Sequence, residues 1–339
     1  MEKLKIGIIG AGRIGKVHTE TIVQKIPEAK IVSIADVNLD EAKNLAERFG
    51  ISNYSDSHKD IIENPEIDSV IICSPTNTHA EYIVESAKAK KHIFCEKPID
   101  LDLATIQNAI NIVEKNNVKL MVGFNRRFDS NFKKIKEMVA EGKIGNPHIL
   151  KITSRDPAPP SPEYISMSGG MFLDMTIHDF DMARFIVGSE VEEVYTNASI
   201  MVDEKIGEAG DVDTAIITLK FLNGAMGVID NSRKAVYGYD QRLEIFGSKG
   251  MIRVDNNAPD NHKYYSENGV HASLPLNFFM DRYIEAYASE IKEFCQAIIS
   301  KRQISVGGID GLIAVAIGKA AKLSADEKRP VKLNEIWKN

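Results

Sequence analysis

Cysteine is scarce in this 339-residue chain, three in all, at Cys73, Cys95 and Cys295. None stands in a C-x-x-C pair and the number is odd, so neither a disulfide framework nor a thiolate metal cluster is indicated. VIICS and HIFCE place Cys73 and Cys95 inside apolar runs, where cysteine packs as a small hydrophobe, and this usage fits a reducing, cytoplasmic compartment. Long apolar runs are missing too. No stretch is long enough to span a bilayer and the N-terminus has no signal-peptide layout, so no membrane association is expected. No block of basic residues occurs, and with a formal net charge of −6 the composition points away from nucleic acid. Repeats and low-complexity segments are absent as well. What is present is 43% hydrophobic residues in a chain too long for one comfortable core, which predicts a soluble protein of two domains.

The first 125 residues alternate apolar strand-like runs with amphipathic helical ones, the pattern of a parallel sheet covered on both faces. KLKIGIIGAGRIGKVHTETI reads as strand, glycine turn and helix, with Gly10, Gly12 and Gly15 completing G-x-G-x-x-G. The first glycine allows the tight turn, the second lets a pyrophosphate approach the backbone, and the third lets the helix pack on the strand. The helix start then offers free N–H groups and a partial positive charge to phosphate, which makes Arg13 and Ile14 candidate cofactor contacts. The next apolar run ends at Asp36, about 20 residues on, where a carboxylate accepts both ribose hydroxyls and repels a 2′-phosphate. Val37 follows it and no arginine comes directly after, so the expected cofactor is NAD rather than NADP.

Ligands on such sheets lie beyond the carboxyl ends of the strands, which directs attention to SPTNTH and CEKP. Ser74, Thr76 and Asn77 are short polar groups suited to the ribose and nicotinamide side. Thr78 and Glu81 have capping-box spacing, and His79 reads as a helix-start residue. In CEKP, Glu96 joins the cofactor candidates. Lys97 emerges where the nicotinamide should lie, as a cation able to donate a hydrogen bond to an alcohol or alkoxide oxygen; its bland reading is a surface lysine.

After NRRFDSNF the pattern changes to a helix, a strand, and a loop with four prolines in six residues (157–162), either a stiff connector or a cover over a site. Strand-like runs with hairpin signals at LNGA and GSKG then predict a largely antiparallel open sheet with one helix-covered face, and two helices close the chain near 278–301 and 308–325. The expected domains are therefore 1–125, a Rossmann dinucleotide-binding domain, and 126–339, an α+β domain. Between the proline loop and the strands, GGMFLDMTIHDFDMARF puts Asp174 and His178 four residues apart on one predicted helix, beside an apolar stripe of Leu173, Ile177 and Phe180. The pair reads as a buried polar couple, as two of the ligands of a metal, or as a general base oriented by a carboxylate. A metal lacks further ligands of recognisable spacing, so none is expected. A dinucleotide-dependent oxidation needs a group to take the hydroxyl proton as hydride leaves, and that favours the base.

GIIGAGRIG, FCEKP and GGMFLDMTIHDFDMARF together resemble the Gfo/Idh/MocA oxidoreductase family, and NRRFDSNF, SRDPAPPSPEYI, GDVDTA and NSRKAVYGYDQR look like its inositol 2-dehydrogenase branch. The resemblance implies a Rossmann domain followed by an α/β domain whose open sheet builds dimers and tetramers. It implies a catalytic triad falling on Lys97, Asp174 and His178, and substrate contacts at Arg127, Asp156, Tyr237 and Tyr239, besides Lys97, Asp174 and His178 themselves. The expected activity is NAD-dependent oxidation of a cyclic polyol, most simply myo-inositol to its 2-ketone. The rival enzyme is a dehydrogenase of another inositol isomer or an aldose or sugar derivative, acidic sugars being kept open by Arg127 and Arg155, or a relative using NAD transiently for elimination or epimerisation; a non-catalytic dinucleotide sensor is the rival from another class.

Overall fold

The computed structural model describes residues 3–338. The chain divides into two compact units, Met1–Phe128 with Glu285–Ile313, and Asp129–Ile284 with Ala314–Asn339. The first boundary thus falls after residue 128 rather than 125, and residues 285–313 return to the first unit instead of staying with the second. The cause is visible in packing: Ile291, Phe294 and Cys295 are fully buried in one core with Ile8, Ile34 and Phe94. Helical periodicity shows that a helix has an apolar face, but not which core that face covers.

The first unit runs β1 (Leu4–Ile9), α1 (Arg13–Lys25), β2 (Ala29–Ala35), α2 (Leu39–Arg48), β3 (Asn53–Ser55), α3 (His58–Ile62), β4 (Ser69–Ile72), α4 (Thr76–Lys88), β5 (His92–Glu96), α5 (Leu103–Lys115) and β6 (Leu120–Gly123). Its six strands are all parallel, in the order β3-β2-β1-β4-β5-β6. Such strands are buried on both faces, and β4 and β6 are buried at every residue. The order reverses between β1 and β4, and their carboxyl ends are where this topology binds ligands. A short 3₁₀ turn, Asn125–Phe128, ends this stretch of the unit.

The second unit continues with α6 (Ser130–Ala140), β7 (Pro147–Arg155), α7 (Pro162–Ser168), α8 (Met171–Asp174), α9 (Ile177–Val187), β8 (Val191–Ser199), α10 (Glu204–Glu208), β9 (Thr214–Phe221), β10 (Met226–Ser232), β11 (Asp240–Gly247), β12 (Gly250–Val254) and the hairpin β13 (Lys263–Ser266) and β14 (Gly269–Ala272). Then come α11 (Phe279–Ile299), α12 (Gly308–Glu327), β15 (Val331–Lys332) and α13 (Leu333–Ile336). Seven strands form one sheet, β12-β11-β7-β10-β9-β8-β15, antiparallel except for the β7–β10 pair. The fold is therefore α/β: a Rossmann unit plus a mostly antiparallel sheet unit. One face of that sheet is buried by Leu150, Ile152, Ile217, Leu219, Ile229 and Ile245. On the other, Phe246, Ile149 and Met226 lie side by side and exposed across three strands, with Ile216 on the next.

The single helix expected for GGMFLDMTIHDFDMARF is two. Asp174 and His178 do not share a continuous helix: α8 ends at Asp174 and α9 begins at Ile177. At the joint, the amides of both Met175 and Thr176 reach the Met171 carbonyl, and the His178 amide bonds three residues back, to Met175. The ladder thus breaks there, with a wide step at Thr176 and a tight one at His178, and Thr176 is anchored on the sheet. Its hydroxyl donates to Asn231 Oδ1 at 2.6 Å, and Asn231 Nδ2 donates to Asp179 Oδ2 at 2.9 Å. The stripe of Leu173, Ile177 and Phe180 is buried as expected.

Among the described residues no helix is long and apolar enough to cross a membrane. All three cysteines are free. Cys95 and Cys295 are fully buried, and burial pushes the Cys95 thiol well up and that of Cys295 up to about 12. Thiolate is the reactive form, so native protein treated with iodoacetamide should carry no label on either residue by peptide mass spectrometry, while both label in urea. Labelling of either at the same rate in both conditions would contradict this packing.

Candidate active site

The glycine turn is built by absent side chains. Gly10 has φ +104°, and a Cβ on it would stand 2.6 Å from the Cys73 carbonyl carbon and oxygen at the end of β4. A Cβ at Gly15 would stand 2.0 Å from the Gly10 carbonyl oxygen. At Gly12 a Cβ would meet nothing within 4 Å, which leaves the turn open toward the start of α1. Gly12 is the N-cap of α1 and no side chain caps the helix, so its first N–H groups are offered outward with the positive end of the helix dipole. These features fit a dinucleotide pyrophosphate. Arg13 is exposed and Ile14 half-buried beside them.

Asp36 follows β2 directly. Its Oδ2 accepts the Ala11 amide at 2.7 Å and its Oδ1 accepts the Asn38 amide at 2.8 Å, so the carboxylate is tied to the glycine turn. Gly10, Asp36, exposed Val37, Ser74 and Tyr82 line one groove of this unit. Tyr82 and His58, which sequence reading missed, stack at 4.1 Å in its wall, and His58 Nε2 lies 2.9 Å from Glu85 Oε2. They were illegible because they come from the starts and middles of two helices, not from a strand end.

At the next strand end, the capping-box expectation fails. α4 starts at Thr76 after Pro75, so Thr78 is already in the first turn, where its hydroxyl donates to the Pro75 carbonyl at 2.7 Å and meets Ser74 Oγ at 2.7 Å. Thr76 is half-buried and Asn77 exposed. His79 is buried, with ring nitrogens 2.7 Å from the Pro98 and Ser74 carbonyls, and burial lowers its pKa. It ties α4 to the segment after β5, as a helix-start residue would.

Lys97 is half-buried directly after β5, before a cis bond to Pro98. Glu96 beside it lies 2.6 Å from His18 Nε2. Burial, then the charge of Glu96, push the Glu290 carboxyl well above the usual range. Among the described residues, His18, Glu96 and Glu290 alone bring metal-ligand atoms together, within 4.8 Å. The His18–Glu96 contact is nevertheless a hydrogen bond, shorter than the roughly 3.3 Å between neighbouring donors on tetrahedral zinc.

In the second unit the structure brings together Asp156, Asp174 and a residue the sequence reading did not single out, Arg233. Its Nη1 lies 3.2 Å from Asp174 Oδ2 and 3.3 Å from Asp156 Oδ2. Asp174 Oδ1 accepts the Tyr164 hydroxyl at 3.1 Å, which links the residue to the helix following the proline-rich loop. His178 is half-buried in the first turn of α9. Of the other expected substrate contacts, Tyr237 donates to Asp240 Oδ2 at 2.6 Å and accepts from Arg155 Nη1 at 3.1 Å, with its pKa raised by burial and then by Asp240. Arg155 also forks onto Asp230. Tyr239 is buried edge-to-face on Tyr283, and in the first unit Arg127 Nη2 donates to Asp310 at 3.0 Å.

The chain matches two family models. One is described as an oxidoreductase family with NAD-binding Rossmann fold, over residues 4–124; the other is the GFO/IDH/MocA C-terminal domain, over residues 132–253. A myo-inositol 2-dehydrogenase of Thermotoga maritima is 53% identical over 334 residues, 98% of this chain and 99% of that protein. The crystal structure of a probable dehydrogenase from Thermotoga maritima superposes with a TM-score of 0.97 at 52% identity, covering 98% of this chain and all of that one. A scyllo-inositol dehydrogenase from Lactobacillus casei, with bound cofactor NAD(H) and scyllo-inositol, gives 0.92 at 29% identity over 98% and 100% of the two chains.

The two glycines should separate by experiment. Gly12→Ala should melt within about 1 kcal/mol of the parent, as an ordinary N-cap change, yet bind NADH at least tenfold more weakly by fluorescence titration. Gly15→Ala should lose several times more stability, since backbone must move. Equal melting of the two variants would contradict this reading of the turn.

Proposed function

Because the chain belongs to the GFO/IDH/MocA oxidoreductase family and its first unit is an NAD-binding Rossmann domain, we propose that it oxidises a ring hydroxyl of an inositol, myo-inositol at C2, to the ketone. The observation that carries this reading is the full-length likeness to the Thermotoga maritima myo-inositol 2-dehydrogenase. NAD, when bound, supplies the hydride acceptor. Gly10, Gly12, Arg13 and Ile14 hold its pyrophosphate side, Asp36 and Val37 its ribose, and Ser74, Thr76, Asn77, Glu96 and Lys97 its nicotinamide half. His178 takes the hydroxyl proton as general base. Asp174 orients the imidazole and stabilises its cation. Lys97 donates a hydrogen bond to the oxygen as negative charge develops on it. Arg127, Asp156, Tyr237 and Tyr239 complete the substrate-contacting set.

The proline-rich stretch acts as a cover rather than a plain connector in this reading, since Tyr164 behind it touches Asp174. The exposed apolar face of Ile149, Ile216, Met226 and Phe246 is the surface for a dimer that pairs into a tetramer. The three free thiols support a cytoplasmic location.

A panel of myo-inositol, scyllo-inositol and aldoses, scored by NADH absorbance, tests the activity. Myo-inositol should give steady NADH accumulation and the highest kcat/KM. Turnover without net NADH would instead indicate transient oxidation within an epimerisation or elimination. His178→Ala should lower kcat by roughly 10²–10⁴-fold, the range for removing a general base, while NADH still binds. Unchanged kcat would remove His178 from the mechanism.

A further inference from the structure

We propose that Arg233 is a positioning residue for this reaction, one guanidinium nitrogen coupling the substrate-contacting Asp156 to the histidine-orienting Asp174. The inference rests on the polyol reading above and assigns a role to a residue outside the expected catalytic and substrate sets.

Three observations carry it. First, the register of the sheet puts the residues together. β10 pairs with β7 in parallel up to Ser232 opposite Arg155, so Arg233 and Asp156 leave neighbouring strand ends side by side. The Asp156 amide donates to the Ser232 carbonyl at 2.9 Å and the Ala235 amide returns to the Asp156 carbonyl at 2.7 Å, which locks the two segments as one. The Arg233 amide donates to the Asp213 carbonyl at 2.8 Å, so its own backbone is anchored as well.

Second, the Arg233 side chain is 3% exposed and its Nη1 touches both carboxylates. An arginine does not lose its proton on burial, so this cation is permanent, and it offsets part of the negative charge at each partner. Third, a further carboxylate reinforces the arrangement. Asp211 attracts Arg233, and its Oδ2 accepts the Met171 amide at 2.8 Å, at the first residue of the short helix that ends in Asp174. Arg233 thus holds Asp174 through its side chain, while Asp211 ties the helix bearing Asp174 to the same charge.

The consequence is coupling. A carboxylate that orients an imidazole for proton transfer must hold its angle, and misplacement of about 1 Å costs on the order of 10²-fold in rate. With both aspartates on one nitrogen, disturbing the substrate-contacting one also shifts the other. A residue that served substrate binding alone would change KM alone.

The test uses the full-length protein, NAD and myo-inositol, with single-turnover NADH formation measured beside steady-state kinetics and NADH affinity. Arg233→Gln is expected to lower kcat/KM by roughly 10²-fold with NADH binding unchanged, and Arg233→Lys, which keeps a bridging cation, should recover most of it. Should Arg233→Gln fail to fold, Asp156→Asn decides, being nearly isosteric. The bridge requires it to slow the single-turnover rate at saturating polyol several-fold as well as to raise KM. An active parent whose Asp156→Asn variant changes KM alone, or a folded Arg233→Gln variant within about twofold of the parent, would overturn this inference and leave the proposed function standing. A parent that forms no NADH from any polyol would overturn both.

Discussion

The dinucleotide-binding half rests on a backbone-to-backbone approach that no side chain could survive. The end of β1 turns so closely beside the end of β4 that a Cβ on Gly10 would overlap the Cys73 carbonyl, and α1 packs so closely on that turn that a Cβ on Gly15 would overlap the Gly10 carbonyl. Those contacts aim the first turn of α1 past Gly12, which alone of the three has open space above it. Asp36 then closes the turn from the neighbouring strand by accepting the Ala11 amide. The glycine turn proposed for the phosphates and the carboxylate proposed for the ribose are therefore one construction, set on an all-parallel sheet.

The second unit reaches rigidity by another route. Its buried polar groups pin a broken helix to a sheet: Asn231 on β10 receives the Thr176 hydroxyl and donates to Asp179, on either side of His178. Two helices separated by a break in the hydrogen-bond ladder carry Asp174 and His178, where an unbroken helix would have stacked them i to i+4. Apolar burial alone would leave this joint free to slide. The hydrogen bonds from within the sheet remove that freedom, as the proposed role of the pair in proton transfer requires.

What the sequence made legible was local. G-x-G-x-x-G with an aspartate about 20 residues on is a contiguous pattern, and so are the burial of Leu173, Ile177 and Phe180 and the hairpins at LNGA and GSKG. What it hid was non-local. Arg233 stands beside Asp156 only because β10 pairs in parallel with β7, 77 residues away, a register that no short-range signal marks. The return of residues 285–313 to the first unit is hidden for the same reason, since Phe294 and Cys295 announce a buried face but not its partner. Thr78 misled in the opposite direction. Its spacing to Glu81 satisfied a local rule, yet Pro75 already serves as the helix boundary one turn earlier.

In the proposed reaction, hydride leaves the ring carbon of an inositol and ends on NAD. Incubating the protein with NAD and myo-inositol deuterated at C2, then weighing the NADH by mass spectrometry, tests it most directly. The expected result is NADH one mass unit heavier, formed in step with the inositol ketone. NADH without deuterium, or ketone-free turnover with no net NADH, would contradict the account.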